Sequence, residues 1–276
     1  MLTNVLYFWI ALAGLGGGFL AGFLGIGGGI VYILILPIAL EYVGVPDSEI
    51  AQYVIANSIF GTAAAALFGS ITLILHKDFY WREVALVSVS AITASYLLLF
   101  TFVNTPLYSE QFFNGAVIIF LSLIILLRFL QSRSSVIFKN PVRNESLWYM
   151  TTGGVAGAFS ALSGLGGGTV SVPLLQSGLH IDIKQAKSIS LGVIFIVSLA
   201  ITIFNMIDQP ANLVALTQAG YIIFPISIPL SIGVLIGSPL GVLVANKISS
   251  RTISYIFVGF LVLVILRKLM ELIRTT

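Results

Sequence analysis

The sequence predicts an all-α integral membrane protein of about ten hydrophobic helical segments, in two inverted-topology repeats that each open with a glycine-broken helix pair. Three observations predict it. Of 276 residues, 58% are hydrophobic and only 8% are charged, whereas a soluble domain carries about 25% charged residues to face water. Many apolar runs approach or exceed the roughly 20 residues that a helix needs to cross a hydrocarbon core. Finally, the glycine-rich opening of the chain returns 139 positions later, beyond a polar linker.

The apolar segments fall at 5–24, 27–42, 50–75, 82–103, 110–130, 146–163, 168–179, 186–207, 214–245 and 250–272. Polar turns separate them, at Glu41 to Glu49, His76 to Glu83 and Asn104 to Glu110. None alternates apolar with polar residues as a half-buried strand would. The longest polar stretch, Gln131 to Glu145, divides the chain. Residues 1–131 form a first transmembrane repeat, 132–145 a linker and 146–276 a second repeat. Met1 to Asn4 carry no basic residue, so no cleavable signal is expected.

Lysine and arginine set the orientation. With the linker in the cytoplasm, Lys77, Arg82, Arg128, Arg133, Lys139, Arg143, Lys184, Lys187, Lys247 and Arg251 all fall inside. Arg267, Lys268 and Arg274 alone fall outside. Both termini are then extracytoplasmic. Lys187, near the start of its helix, could attract an anion but reads more readily as one of these cytoplasmic anchors.

The repeat is specific. Trp9 falls on Trp148, Gly14 on Gly153, Gly18 on Gly157, and Gly25-Ile26-Gly27-Gly28-Gly29 on Gly164-Leu165-Gly166-Gly167-Gly168. Further on, Ser58 matches Ser190. Each half holds a glycine-linked pair, which returns to the side it started from, and three further crossings. The odd total makes the halves face opposite ways, an architecture whose sites lie where the halves meet.

Glycines spaced by four, such as Gly14, Gly18 and Gly22, read as helix packing. The GGG tips read differently. Glycine in a helix costs about 1 kcal/mol relative to alanine, and backbone freed inside a bilayer must find partners in protein or at a watery cavity. Gly27, Gly28, Gly29, Gly166, Gly167 and Gly168 therefore read as lining a pathway. The helix N-terminus beyond each tip attracts anions without a basic side chain. Almost no ionisable residue lies deep in a segment, so a carboxylate site for cations is not expected. The neutral groups inside, Asn57, Ser58, Thr169, Ser188 and Ser190 chief among them, suit an anion that is held and then released. A hydroxyl's alternative is a bond to its own helix.

Other classes fare poorly. There is no cysteine, and the net charge of +3 is too small to suggest nucleic acid. Both histidines, His76 and His180, lie in edge loops, and no base accompanies Ser163, so no enzyme is expected. The glycine tips follow no strand, so they do not fit a dinucleotide fingerprint. No cofactor or metal is expected. The partners are lipid and a small anion; a homodimer is left open.

At these residues the chain resembles the TauE/SafE family, permeases that export sulfite and organosulfonates. The resemblance rests on the paired glycine signatures and on the segments around Ala56-Asn57-Ser58 and Ala186-Lys187-Ser188-Ile189-Ser190-Leu191. Where relatives often carry a Thr-Ser pair, this chain has Asn57 and Ile189 in place of the threonine. The resemblance implies secondary transport of sulfur oxyanions such as sulfite, sulfonates or sulfoacetate across a prokaryotic cytoplasmic membrane, without a cofactor. Two alternatives stand beside it: a passive anion or small-solute channel with paired re-entrant loops, and a scaffold in which the glycines serve folding alone.

Overall fold

The computed structural model describes residues 4–103, 105, 108–133, 144–214 and 217–275. Lys139 and Arg143 of the linker lie outside the described residues. Among the described residues ten α-helices follow one another: α1 (Asn4–Leu24), α2 (Gly29–Val43), α3 (Ile50–Leu75), α4 (Trp81–Leu98), α5 (Glu110–Arg133), α6 (Glu145–Ser163), α7 (Gly168–Leu179), α8 (Ile183–Ile207), α9 (Phe224–Lys247) and α10 (Ser250–Thr275). A π-helical turn, Leu99–Val103, extends α4. Five of the helical stretches are long and apolar enough to cross a membrane: Val5–Leu24, Ile50–Leu75, Trp81–Val103, Ile183–Ile207 and Phe224–Lys247. Their outward side chains include Phe8, Trp9, Ile203, Ile232 and Leu235, a surface suited to lipid.

The segment expected at 214–245 begins later than its hydropathy indicates. Gln218–Ala219 (β1) and Ile222–Ile223 (β2) form a short antiparallel hairpin, and α9 starts only at Phe224. The backbone here is bonded elsewhere: Ile223 N–H donates to Asn57 Oδ1 at 2.9 Å and Tyr221 N–H to the Asn205 carbonyl at 2.9 Å. Pro225, which has no N–H to lose, then sits in the first turn of α9.

Packing crosses between the halves. α1 runs along α9 and α6 along α4, while α3 packs on α8 and α5 on α10. Exchange of the halves maps each of these pairings onto another or onto itself. The α1–α9 seam is backbone against backbone. A Cβ on Gly14 would lie 2.0 Å from the Leu230 carbonyl oxygen, and one on Gly22 would lie 2.0 Å from that of Ser238. In return, Gly233, Gly237 and Gly241 meet the carbonyls of Ala11, Leu15 and Phe19. Small residues permit this approach, and dispersion across it drives association where lipid supplies no hydrophobic force. On the other side, Gly153 and Gly157 lie against the carbonyls of Val87 and Ala91.

Candidate functional site

Two helix breaks meet inside this frame. α1 ends at Leu24, and Gly25 (φ 72°) and Gly27 (φ 74°) turn the chain into α2. α6 ends at Ser163, and Gly164, Gly166 and Gly167, all at positive φ, turn it into α7. A residue with a Cβ would be strained at these angles by about 1–2 kcal/mol. α7 has 12 residues and α2 has 15, so they extend about 18 and 22 Å, short of the roughly 30 Å core.

The two tips touch each other reciprocally. A Cβ on Gly29 would lie 2.6 Å from the Gly164 carbonyl oxygen, and one on Gly168 would lie 2.7 Å from that of Gly25. Ser58 Oγ donates to the Gly164 carbonyl at 2.9 Å, while Ser190 Oγ donates to the Gly25 carbonyl at 2.8 Å. Each tip is thus pinned by a hydroxyl from the long helix of the opposite half. Ser190 also shares a 2.9 Å hydrogen bond with Ser171. Thr62 and Ile194 fill the space beside both Gly27 and Gly166.

The sequence-predicted residues divide three ways. Gly27, Gly28, Gly29, Ser58, Gly166, Gly167, Gly168 and Ser190 gather at the junction, all buried. Thr169 opens α7 beside them, and its hydroxyl is buried without a hydrogen-bond partner, as are those of Thr62, Ser160 and Ser198. Asn57 lies one residue before Ser58, yet its amide is fully engaged. It donates to the Tyr53 and Tyr221 carbonyls at 2.8 and 2.9 Å, and it accepts from Ile223 N–H and from Ser227 Oγ, the latter at 2.7 Å. It ties the hairpin and α9 to α3. Ser188 stands apart, donating to the Asp78 carbonyl. Among the other hydroxyls, Ser90, Thr93 and Ser163 bond back to their own helices.

At the bends, neighbouring atoms crowd each tip glycine. A cavity of about 280 Å³ lies lower down, where α8 begins, with Asp78, Tyr80, Lys184, Lys187, Ser188 and Asn246 in its wall. Two others, of about 390 and 340 Å³, lie against the apolar sides of α3, α8 and α9 and beside Tyr96 and Phe204. None of these three includes a tip glycine. Lys187 corrects its reading as an anchor: it is 1% exposed, and its ammonium has no hydrogen-bond partner among the described residues. Helical spacing carried the missed signal, because Lys187, Ser190 and Ile194 share one face of α8.

Fold and junction together define a polytopic membrane protein in which two broken helices meet end to end. Residues 9–268 match the family described as Sulfite exporter TauE/SafE, and the chain belongs to that family. It is similar to a protein of Methanocaldococcus jannaschii named as a probable membrane transporter, at 26% identity over 237 residues, covering 85% of this chain and 84% of the relative. No solved structure matches it significantly. The chain is therefore a multi-pass membrane transporter.

Proposed function

We propose that this transporter exports a small sulfur-containing anion, such as sulfite, a sulfonate or sulfoacetate, across a prokaryotic cytoplasmic membrane by alternating access. The observation that carries the reading is the reciprocal clasp of the tips by Ser58 and Ser190. The first-turn N–H groups of α2 and α7, at Gly29, Ile30, Gly168 and Thr169, have no carbonyl one turn back within their helices. Parting the tips would offer these dipoles, with the Thr62 and Thr169 hydroxyls, to a negative solute. The family's printed description and the scarcity of buried carboxylates support an anion. The linker is taken as cytoplasmic, the termini as extracytoplasmic and the repeats as inverted.

The packing refines the motion. Rocking one sequence half against the other would shear both glycine seams, α1–α9 and α4–α6. The moving bodies are instead crossed units, each holding a helix from both halves, and they part where α3 faces α8. A passive pore fits less well, since the tips lie in contact across the path. Flux in proteoliposomes tests the reading. Sulfite efflux should saturate and show counterflow. Folded protein that moves none of sulfite, methanesulfonate, taurine and sulfoacetate would refute the substrate class, and unsaturable flux would favour the channel.

A further inference from the structure

A lysine ammonium buried in a membrane protein without a counter-charge in hydrogen-bond contact is costly and marks a functional position. Lys187 is such a group. Asp78, a carboxylate near enough to act on it electrostatically, forms no ion pair with it: its ammonium is buried without a bonding partner. Both residues line the 280 Å³ cavity, together with Lys184 and Ser188. Lys184 donates from Nζ to the Asn246 carbonyl at 3.1 Å, which ties α8 to the end of α9 and fixes one wall. With two lysines against one aspartate, the charged lining is net positive. The cavity also adjoins the junction. The Lys187 stem covers Gly25, where a Cβ would lie 2.2 Å from Lys187 Cγ, and the Gly25 carbonyl is the one that Ser190 grips.

We propose that this cavity is an anion-binding vestibule, in which Lys184 and Lys187 hold the oxyanion head of the substrate before the first tip releases it toward the junction. The proposal rests on the anion-export reading and gives that reading its inner binding step. A compact oxyanion of sulfur suits the site because the cavity has room for a head group and a short substituent, and the Lys187 ammonium, buried behind its wall, turns into it when the anion arrives. An anionic lipid head presents the same chemistry, so the test carries both sources.

The test is calorimetric titration of the full chain in neutral detergent with sodium sulfite, with methanesulfonate, and separately with dihexanoyl phosphatidylglycerol. Sulfite and methanesulfonate should bind saturably. K187M should weaken them at least tenfold, and K187R should stay within about threefold of the parent. D78N removes the opposing carboxylate while keeping the backbone carbonyl that Ser188 uses, so it should tighten binding two- to fivefold. This gain does not depend on a damaged variant folding. Unchanged sulfite affinity in K187M, no tightening in D78N, or binding of the lipid alone would each overturn the vestibule. Binding separates this result from flux. Protein that binds sulfite through Lys187 but does not transport it keeps the vestibule and loses the export reading. Transport with K187M at full affinity does the reverse.

Discussion

The helices that clasp the tips, α3 and α8, occupy equivalent places in the two halves, yet their first turns meet opposite surroundings. α3 begins under a polar latch. Glu49 accepts from Ala211 N–H at 2.8 Å and from Asn212 Nδ2 at 3.0 Å, and Tyr53 donates to the Asn212 carbonyl at 2.7 Å. Below these, Asn57 binds the hairpin. α8 begins beside an open cavity, with Lys187 unpartnered and only a short turn, residues 76–80, between α3 and α4 above it. The Ser58 and Ser190 clasps between these ends are nearly identical. The centre is shared and the two ends differ. On the proposed alternating-access reading, the reciprocal part would form the barrier and the non-reciprocal parts would bias which side opens first. As the structure stands, hydrogen bonds tie down the first turn of α3, and a cavity lies beside that of α8.

The largest test of the comparison lies at its symmetric centre. Gly29→Val and Gly168→Val each force a side chain into opposing backbone, an overpacking cost of about 1–3 kcal/mol or more. Both should abolish flux, with lowered melting temperatures. Activity above about a tenth of wild type in either variant alone would end the claim that the tips are equivalent. Next comes the latched end. Asn57→Leu removes four hydrogen bonds, and at roughly 0.6 kcal/mol for each such bond in a membrane protein stability should fall by about 2–3 kcal/mol in detergent unfolding. Ile189, its counterpart, makes no side-chain hydrogen bond, so Ile189→Leu should cost under about 1.5 kcal/mol. Equal losses would erase the asymmetry. The smallest effects sharpen the clasp itself. Ser58→Ala and Ser190→Ala should each cost about 1 kcal/mol, with Ser190→Ala the larger because Ser171 also loses the shorter of its two hydrogen bonds. A measurable loss at only one of the pair would break the reciprocity.

Much of this was legible in the chain. Nine of the ten helices start within about three residues of the apolar runs, because length and hydropathy suffice to specify a span. The tips were legible because three glycines in succession make little sense inside a helix. Ser58 and Ser190 followed from aligning the halves. The hairpin was hidden, since two-residue strands have no periodicity and Ile222 and Ile223 read as part of the next apolar run. Asn57 was legible as a residue needing partners, though not which ones, because three of its four come from 164 to 170 positions away. Lys187 was hidden because a lysine near a helix start resembles an anchor until neighbouring helices are seen to cover it. The crossed packing was hidden most deeply, since glycines at every fourth position announce a seam without naming the helix that fills it.

That seam bears on what one half of the molecule would be by itself. Severed at the linker, the first half would carry α1 with a furrow of glycine backbone, uncovered by side chains, turned toward acyl chains, and the second would carry α6 in the same condition. Neither fragment contains the strand of small residues that completes it. The two halves are therefore mutual templates, each carrying the small-residue surface against which the other packs.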